Sequence, residues 1–189
     1  MREQIVKDVK KEFLETSFKY LVENGLENTS VRDLCKAMGV SSGSIYYWFE
    51  DKDDIYISTV KYGVSKVADA LFEVAFDKMQ NPELFFDTFL EEIEKYKLEL
   101  RLVFQVTTSP VYGERMREKA EDFKLVYEKY IEKLSAILGC KPELLTPIIY
   151  MLISILVDYV VWEDYEVSKL QLTDLFDILK LKLKMAQTN

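Results

Sequence analysis

The residues best equipped for chemistry stand together near one end of the chain, in the run SSGSIYYWFEDK at 41–52. It offers serine hydroxyls at 41, 42 and 44, two phenols, Tyr46 and Tyr47, and one ammonium, Lys52. A serine is a weak nucleophile without a base beside it. Serine and tyrosine hydroxyls do bond phosphate oxygens, and serine also meets base edges. Small residues such as Gly43 let a backbone approach either closely. The chemistry on offer here is recognition.

The rest of the composition agrees. The chain has 189 residues and no histidine. That removes Ser-His-Asp and Cys-His nucleophile systems and the usual metal ligand. Neither GxxxxGK[ST] nor GxGxxG occurs, so no enzyme and no cofactor is implied. Cys35 and Cys140 are far apart, each in or beside a helical pattern, and suggest neither a disulfide framework nor a zinc site.

A second constellation is internal. Tyr150, Ser154 and Asp158 follow one another at i+4, with Tyr165 seven residues on, along an otherwise apolar helix. Burying Asp158 unpaired would be costly. It needs Arg101, a tyrosine, a subunit neighbour, water or a ligand. The stripe lines either a pocket or a subunit seam.

The elements that position these groups are all helical. Glycine (6) and proline (4) are scarce, and no alternating strand pattern of useful length appears. Periodicity predicts a helix over 3–24, closed by Asn24-Gly25, and a short one over 31–38, opened by Thr29 or Ser30 with Asp33 completing the cap. A third runs from Ser41 or Ser42 to about Phe49, and a fourth from Asp51 to about residue 79, broken by Asn81-Pro82. Further helices follow to about 95 and over 96–107. One long charged helix spans 113–138. An apolar helix starts at Pro142 or at Thr146-Pro147 and runs to about Glu163, and a last helix ends near Met185. The expectation is an all-α chain of about nine helices. Ile45, Trp48 and Phe49 then form one inward stripe, leaving Ser42, Gly43, Ser44, Tyr46 and Tyr47 outside.

One helix of about 20 residues and two of about 8, the last two joined by a Gly39-Val40 turn, suggest a helix-turn-helix unit. The stretch FLETSFKYLVENGLENTSVRDLCKAMGVSSGSIYYWFEDKDDI resembles the DNA-binding domain of the tetracycline-repressor (TetR) family of transcriptional regulators. The matching pieces are the Gly25 turn, Thr29-Ser30-Val31, Leu34 to Ala37, Gly39-Val40-Ser41, Gly43 to Tyr46, Phe49 and Lys52. The resemblance covers about the first quarter of the chain. It implies a helix-turn-helix domain over 1–52 and a helical domain for ligand binding and dimerisation over 53–189. Ser42, Ser44 and Tyr46 are assigned by it to the major groove, and Thr29, Tyr47 and Lys52 to phosphates. Ser41 and Gly43 complete the contact set. Many family members carry a basic or amide residue where this chain has Ser42, whose reach to a base is shorter. Lys7, Lys10 and Lys11 make a basic stripe on the first helix, for which solvation is the plainer reading.

The resemblance further implies a pocket inside the later helices, with candidates Phe104, Tyr127, Tyr150, Ser154, Asp158 and Trp162, and a homodimer through the last two helices. Phe72, Phe76, Phe85, Phe86, Phe89, Phe123, Tyr130 and Tyr159 add to the aromatic content there, and an aromatic core explains most of them. A dimer would set two reading heads about one turn of DNA apart, on a pseudo-palindromic site. The implied function is a regulator, a repressor released by a small apolar or aromatic ligand. The alternative is a helical small-molecule-binding or protein-interaction module with degenerate DNA binding, favoured by the net charge of −8. Residues 1–65 carry 9 Lys or Arg against 11 Asp or Glu, so the acidity lies mostly later. The N-terminus lacks a secretory pattern, and the longest apolar run, residues 148–157, is too short to span a bilayer; a cytoplasmic protein is expected.

Overall fold

A computed structural model describes residues 2–78 and 82–188, with side chains described for all of these except 2–6, 75, 77–78, 82–86, 120, 122 and 187–188. Asn81 and the side chains of Phe85 and Phe86 therefore lie outside the described residues. The described residues form ten helices and no strand: α1 (Arg2–Asn24), α2 (Val31–Met38), α3 (Ser42–Ile45), α4 (Lys52–Lys78), α5 (Pro82–Lys95), α6 (Lys97–Thr108), α7 (Gly113–Glu118), α8 (Ala120–Leu138), α9 (Pro142–Trp162) and α10 (Tyr165–Thr188).

The chain packs as two units, one of residues 1–67 with 98–120 and one of residues 68–97 with 121–189. The packing division falls within α4. Helices α6 and α7 join the first unit.

In the first unit the turns follow from local chemistry. Gly25 at φ +80° ends α1, its N–H donating to the Leu21 carbonyl at 2.9 Å. Ser30, not Thr29, caps α2. Its hydroxyl oxygen accepts the Asp33 N–H while its own N–H donates to the Asp33 carboxylate, a reciprocal capping box. Gly39 at φ +72° ends α2, and the Val40 N–H reaches back to the Cys35 carbonyl at 2.9 Å. The core of this unit gathers Phe13, Leu21, Leu34, Ile45, Phe49, Ile55, Ile57 and Val60, all buried. Phe13 and Phe49 meet at 5.7 Å between ring centroids.

In the second unit, α10 packs against both α9 and α5. Phe72 stacks on Tyr130 at 4.0 Å between centroids and 6° between planes. The Tyr130 hydroxyl and the Lys129 ammonium both donate to Asp69. Tyr159 donates to Glu94 at 2.8 Å, and Lys97 bridges Glu94 and Glu163 at 2.7 and 2.9 Å.

Three elements differ from expectation. The helix expected over 113–138 is interrupted at Lys119, at φ −93° and ψ 16°, which makes ten helices where about nine were expected. Helix α3 is one turn long, because Ser42, Gly43 and Ser44 are poor helix formers. Beyond it the N–H groups of Tyr47 and Trp48 bond three residues back, to Ser44 and Ile45, and a tighter turn carries the chain to Phe49. Helix α9 begins at Pro142 and contains Pro147. At 21 residues it is longer than the ten-residue apolar run within it, and by length and composition alone it is apolar enough to cross a membrane. Six of its residues nonetheless pack inside the unit, among them Leu145, Ile149 and Tyr159, as a core helix requires.

Candidate nucleic-acid interface

The segment 41–52 presents the split that its sequence implies. Ile45 and Phe49 are buried, at 0% and 3% exposure, while Tyr46 is 50% and Tyr47 81% exposed. Trp48 is half-buried. The cause is spacing: residues 45, 48 and 49 fall on the side facing α1, where Phe13 also meets Trp48 at 6.5 Å. The two phenols have no room on that side and face solvent.

The serines do two jobs. Ser41 caps α3, accepting the Ser44 N–H at 3.3 Å, and the hydroxyls of Ser41 and Ser44 bond each other at 2.7 Å. A hydroxyl has one donor and two acceptor positions, so both keep capacity toward an outside group. Ser42 and Gly43 are exposed, and a Cβ at Gly43 would meet nothing within 4 Å. Backbone can therefore approach a groove closely here. Lys52 is exposed at the first position of α4, its ammonium 5.5 Å from the Tyr56 ring.

Thr29 departs from the set. It is buried, and its hydroxyl donates inward to the Gly25 carbonyl at 2.7 Å. Its own carbonyl accepts the Tyr56 hydroxyl at 2.6 Å. Thr29 closes the turn between α1 and α2. Lys10 also turns inward from the basic stripe: its ammonium donates to the Trp48 carbonyl at 3.1 Å and lies 4.6 Å from the Phe49 ring centroid. Lys7 and Lys11 stay exposed.

Electrostatics behind the segment centre on the start of α4. Asp51 caps that helix by accepting the Asp54 N–H at 2.8 Å, and also takes the Arg115 guanidinium at 2.8 Å. The cap and then the arginine hold its carboxyl below the usual range. Burial alone would raise the Asp54 carboxyl, but Lys119 at 2.7 Å, the Glu50 N–H and the Ser58 hydroxyl together outweigh it and lower it. Arg115 and Lys119 were not foreseen. Their partners lie 64 and 65 residues away, and no local pattern announces them. The only trace is the run DKDD, three acids for one lysine, which needs cations from elsewhere.

The pocket candidates fall in both units. Phe104 lies on α6 in the first unit, whereas Tyr127, Tyr150, Ser154, Asp158 and Trp162 belong to the second. Trp162 is 74% exposed, and Tyr150 and Ser154 are also exposed. The Ser154 hydroxyl donates to the Tyr150 carbonyl at 3.0 Å. Asp158 accepts a long bond from the Gln171 amide, 3.4 Å away on α10. The Tyr127 phenol is half-buried, and burial, then the neighbouring Tyr150, pushes its pKa up. The Tyr165 hydroxyl donates to Asp87, apart from the stripe.

The model of a family described as bacterial regulatory proteins, tetR family, matches residues 13–59. The chain is 26% identical over 54% of its length to the HTH-type transcriptional repressor AcnR of Corynebacterium glutamicum. It is 23% identical over 60% of its length to the HTH-type transcriptional regulator PksA of Bacillus subtilis. These matches span 53% and 57% of the two relatives, about half of each. The crystal structure of a transcriptional regulator (TerR/AcrR family) from Aquifex aeolicus VF5 aligns with a TM-score of 0.51 and 26% identity, covering 90% of this chain and 99% of that one. The helix-turn-helix geometry falls within the matched residues, and the all-helical fold continues through the later helices: over residues 13–59 the chain is similar to the tetR family of bacterial regulatory proteins.

Proposed function

We propose that the chain is a sequence-specific DNA-binding transcriptional regulator, a cytoplasmic repressor released by a small apolar or aromatic molecule. One observation carries the DNA-binding part: a single short segment buries Ile45 and Phe49 and turns Tyr46 and Tyr47 outward beside exposed Ser42 and Gly43. Two large exposed aromatics on a rigidly anchored turn are wasteful unless something stacks or bonds there. In this reading Ser42, Ser44 and Tyr46 meet base edges, Tyr47 and Lys52 hold phosphates, and Ser41 sets the turn. With so short a side chain at 42, sequence choice rests on Tyr46, on bridging water and on DNA shape.

A homodimer through α9 and α10 supplies the second reading head. Its support is the apolar surface those helices leave open, including Met151, Val161, Trp162, Leu170, Leu181 and Met185. Release follows from a ligand that prefers a spacing of the heads unsuited to DNA, a population shift transmitted along α4, which contributes to both units.

The test is enrichment of duplexes from a randomised pool, followed by anisotropy titration at several salt concentrations. A specific regulator should prefer its enriched duplex by about a thousandfold or more over random DNA. Equal, weak binding to all duplexes would leave the second reading, a helical ligand-binding or protein-interaction module. Asp158→Asn separates the two roles of the polar stripe: a changed ligand response marks a pocket, and a changed dimer mass marks the seam.

A further inference from the structure

The reading segment is attached to α4 through an acidic corner. Glu50, Asp51, Asp53 and Asp54 stand in five consecutive positions, beside a surface proposed to meet phosphates. Left alone, that corner would repel a polyanion and would loosen its own turn by mutual repulsion. Two cations from α7 and its end answer it. The Arg115 guanidinium reaches both Asp51 oxygens at 2.8 Å and Asp53 at 3.5 Å, and Lys119 reaches Asp54 at 2.7 Å.

These carboxylates hold the backbone of the corner. Asp51 accepts the Asp54 N–H, and Asp54 accepts the Glu50 N–H at 3.1 Å. The Glu50 amide immediately follows buried Phe49, the anchor that sets Tyr46 and Tyr47 outward. Lys119 therefore reaches the Glu50 N–H in two steps, through the Asp54 carboxylate, while Arg115 grips Asp51, which caps the start of α4 at the end of the reading segment. A third tie runs in parallel. The Tyr112 ring, at the start of α7, lies 5.5 Å from that of Tyr56, whose hydroxyl holds the Thr29 carbonyl ahead of α2.

We infer that Arg115 and Lys119 are positioning residues for DNA reading, neutralising the acidic start of α4 and fixing, through Asp51 and Asp54, the turn that presents Tyr46 and Tyr47. The inference rests on the DNA-binding role proposed above. It does not need either cation to touch DNA.

Trp48 reports on the segment without DNA. The chain has two tryptophans, and Trp162→Phe leaves Trp48 as the sole tryptophan, excited selectively at the red edge of the aromatic absorption. In that background, Arg115→Gln should raise the acrylamide quenching constant of Trp48 about twofold. It should also weaken binding to the enriched duplex about tenfold. Asp51→Asn, which still caps a helix, should do the same, and the double variant should be no worse than the worse single. Lys119→Gln should match in direction. Unchanged quenching and unchanged affinity in Arg115→Gln would overturn the inference. So would a loss of affinity that leaves Trp48 untouched and adds to that of Asp51→Asn, since that marks direct contact with DNA. Should Arg115→Gln not fold, isosteric Asp51→Asn carries both readouts. If the unaltered chain enriches no duplex, the DNA reading fails on its own, and the quenching of Trp48 still decides the clasp.

Discussion

Gly63 on α4 lies directly beneath the ring of Phe18 on α1: a Cβ at position 63 would sit 2.0 Å from Phe18 Cε2 and 2.2 Å from Cζ. A glycine inside a long helix costs about 1 kcal/mol relative to alanine. Here that cost permits close approach of α4, the helix that follows the 41–52 segment, to α1.

Gly63→Ala should therefore destabilise, by about 3 kcal/mol, because overpacking outweighs the gain in helix propensity. Thermal unfolding followed by circular dichroism checks it. Adding Phe18→Leu should recover part of the loss by removing the ring that the new methyl strikes. A stabilised Gly63→Ala would mean that α1 and α4 separate more easily than their packing implies.

Tyr47→Ala should leave the melting temperature within about a degree, because the side chain is 81% exposed, yet weaken binding to an enriched duplex. Lys52→Gln should weaken specific and random duplexes alike and reduce the salt slope of binding by about 1. Thr29→Ala should behave in the opposite way to Tyr47→Ala: it removes the bond to the Gly25 carbonyl and costs about 1 kcal/mol of stability with little direct effect on DNA contact.

Alkali should unfold the protein over a window set by three tyrosines. Burial, then the neighbouring Tyr112, pushes Tyr56 up to about 12. Burial, then the bond to Asp69, does the same for Tyr130. Burial, then the bond to Glu94, does so for Tyr159, again to about 12. The fold holds these phenols neutral, so their contribution is complete below about pH 10, the unfolded value, and is lost as pH rises toward 12. Near-ultraviolet phenolate absorbance and circular dichroism should change together there. Tyr159→Phe should soften the transition.

Acid should act through the opposite sign. The Asp51 and Asp54 carboxyls are lowered in the fold, so they stabilise above the ordinary aspartate value and that contribution is lost as pH falls below about 4. Lys119→Gln should flatten the acid limb of a plot of melting temperature against pH. An unaltered limb would mean that Asp54 draws little from its lysine.

Leu181→Glu, on the open face of α10, should convert a dimer to a monomer in light scattering while leaving helicity intact. The same variant should lose affinity for a pseudo-palindromic duplex more than for a half-site.

Much of the 41–52 segment was legible because its causes are local. The i, i+3 and i+4 spacing of Ile45, Trp48 and Phe49 is enough to say which aromatics go in and which stay out, and the exposures of Tyr46 and Tyr47 agree. Gly25 and Gly39 announce their turns by residue type, and Ser30 with Asp33 announces a capping box. Where two neighbours offered the same group, as Thr29 and Ser30 did, sequence left the choice open. Packing resolved it by burying the threonine methyl and sending its hydroxyl back to Gly25. The start of α9 was open in the same way. Pro142 takes the first helical position, where a missing N–H costs nothing, and Pro147 loses only one bond near the first turn.

By itself, then, the sequence determined the all-helical class, the helix-turn-helix and the outward side of the 41–52 segment, because propensity, capping and periodicity act over a few residues. Tertiary structure alone decided that Arg115 and Lys119 grip the acid corner, that Lys10 turns to the Trp48 carbonyl, and that α6 and α7 pack with the first unit. Those pairings join residues 38 to 65 positions apart. A surface lysine or arginine reads the same in sequence whether it meets water, a carbonyl or a carboxylate, and only the packing of the intervening helices brings the partner within hydrogen-bonding distance.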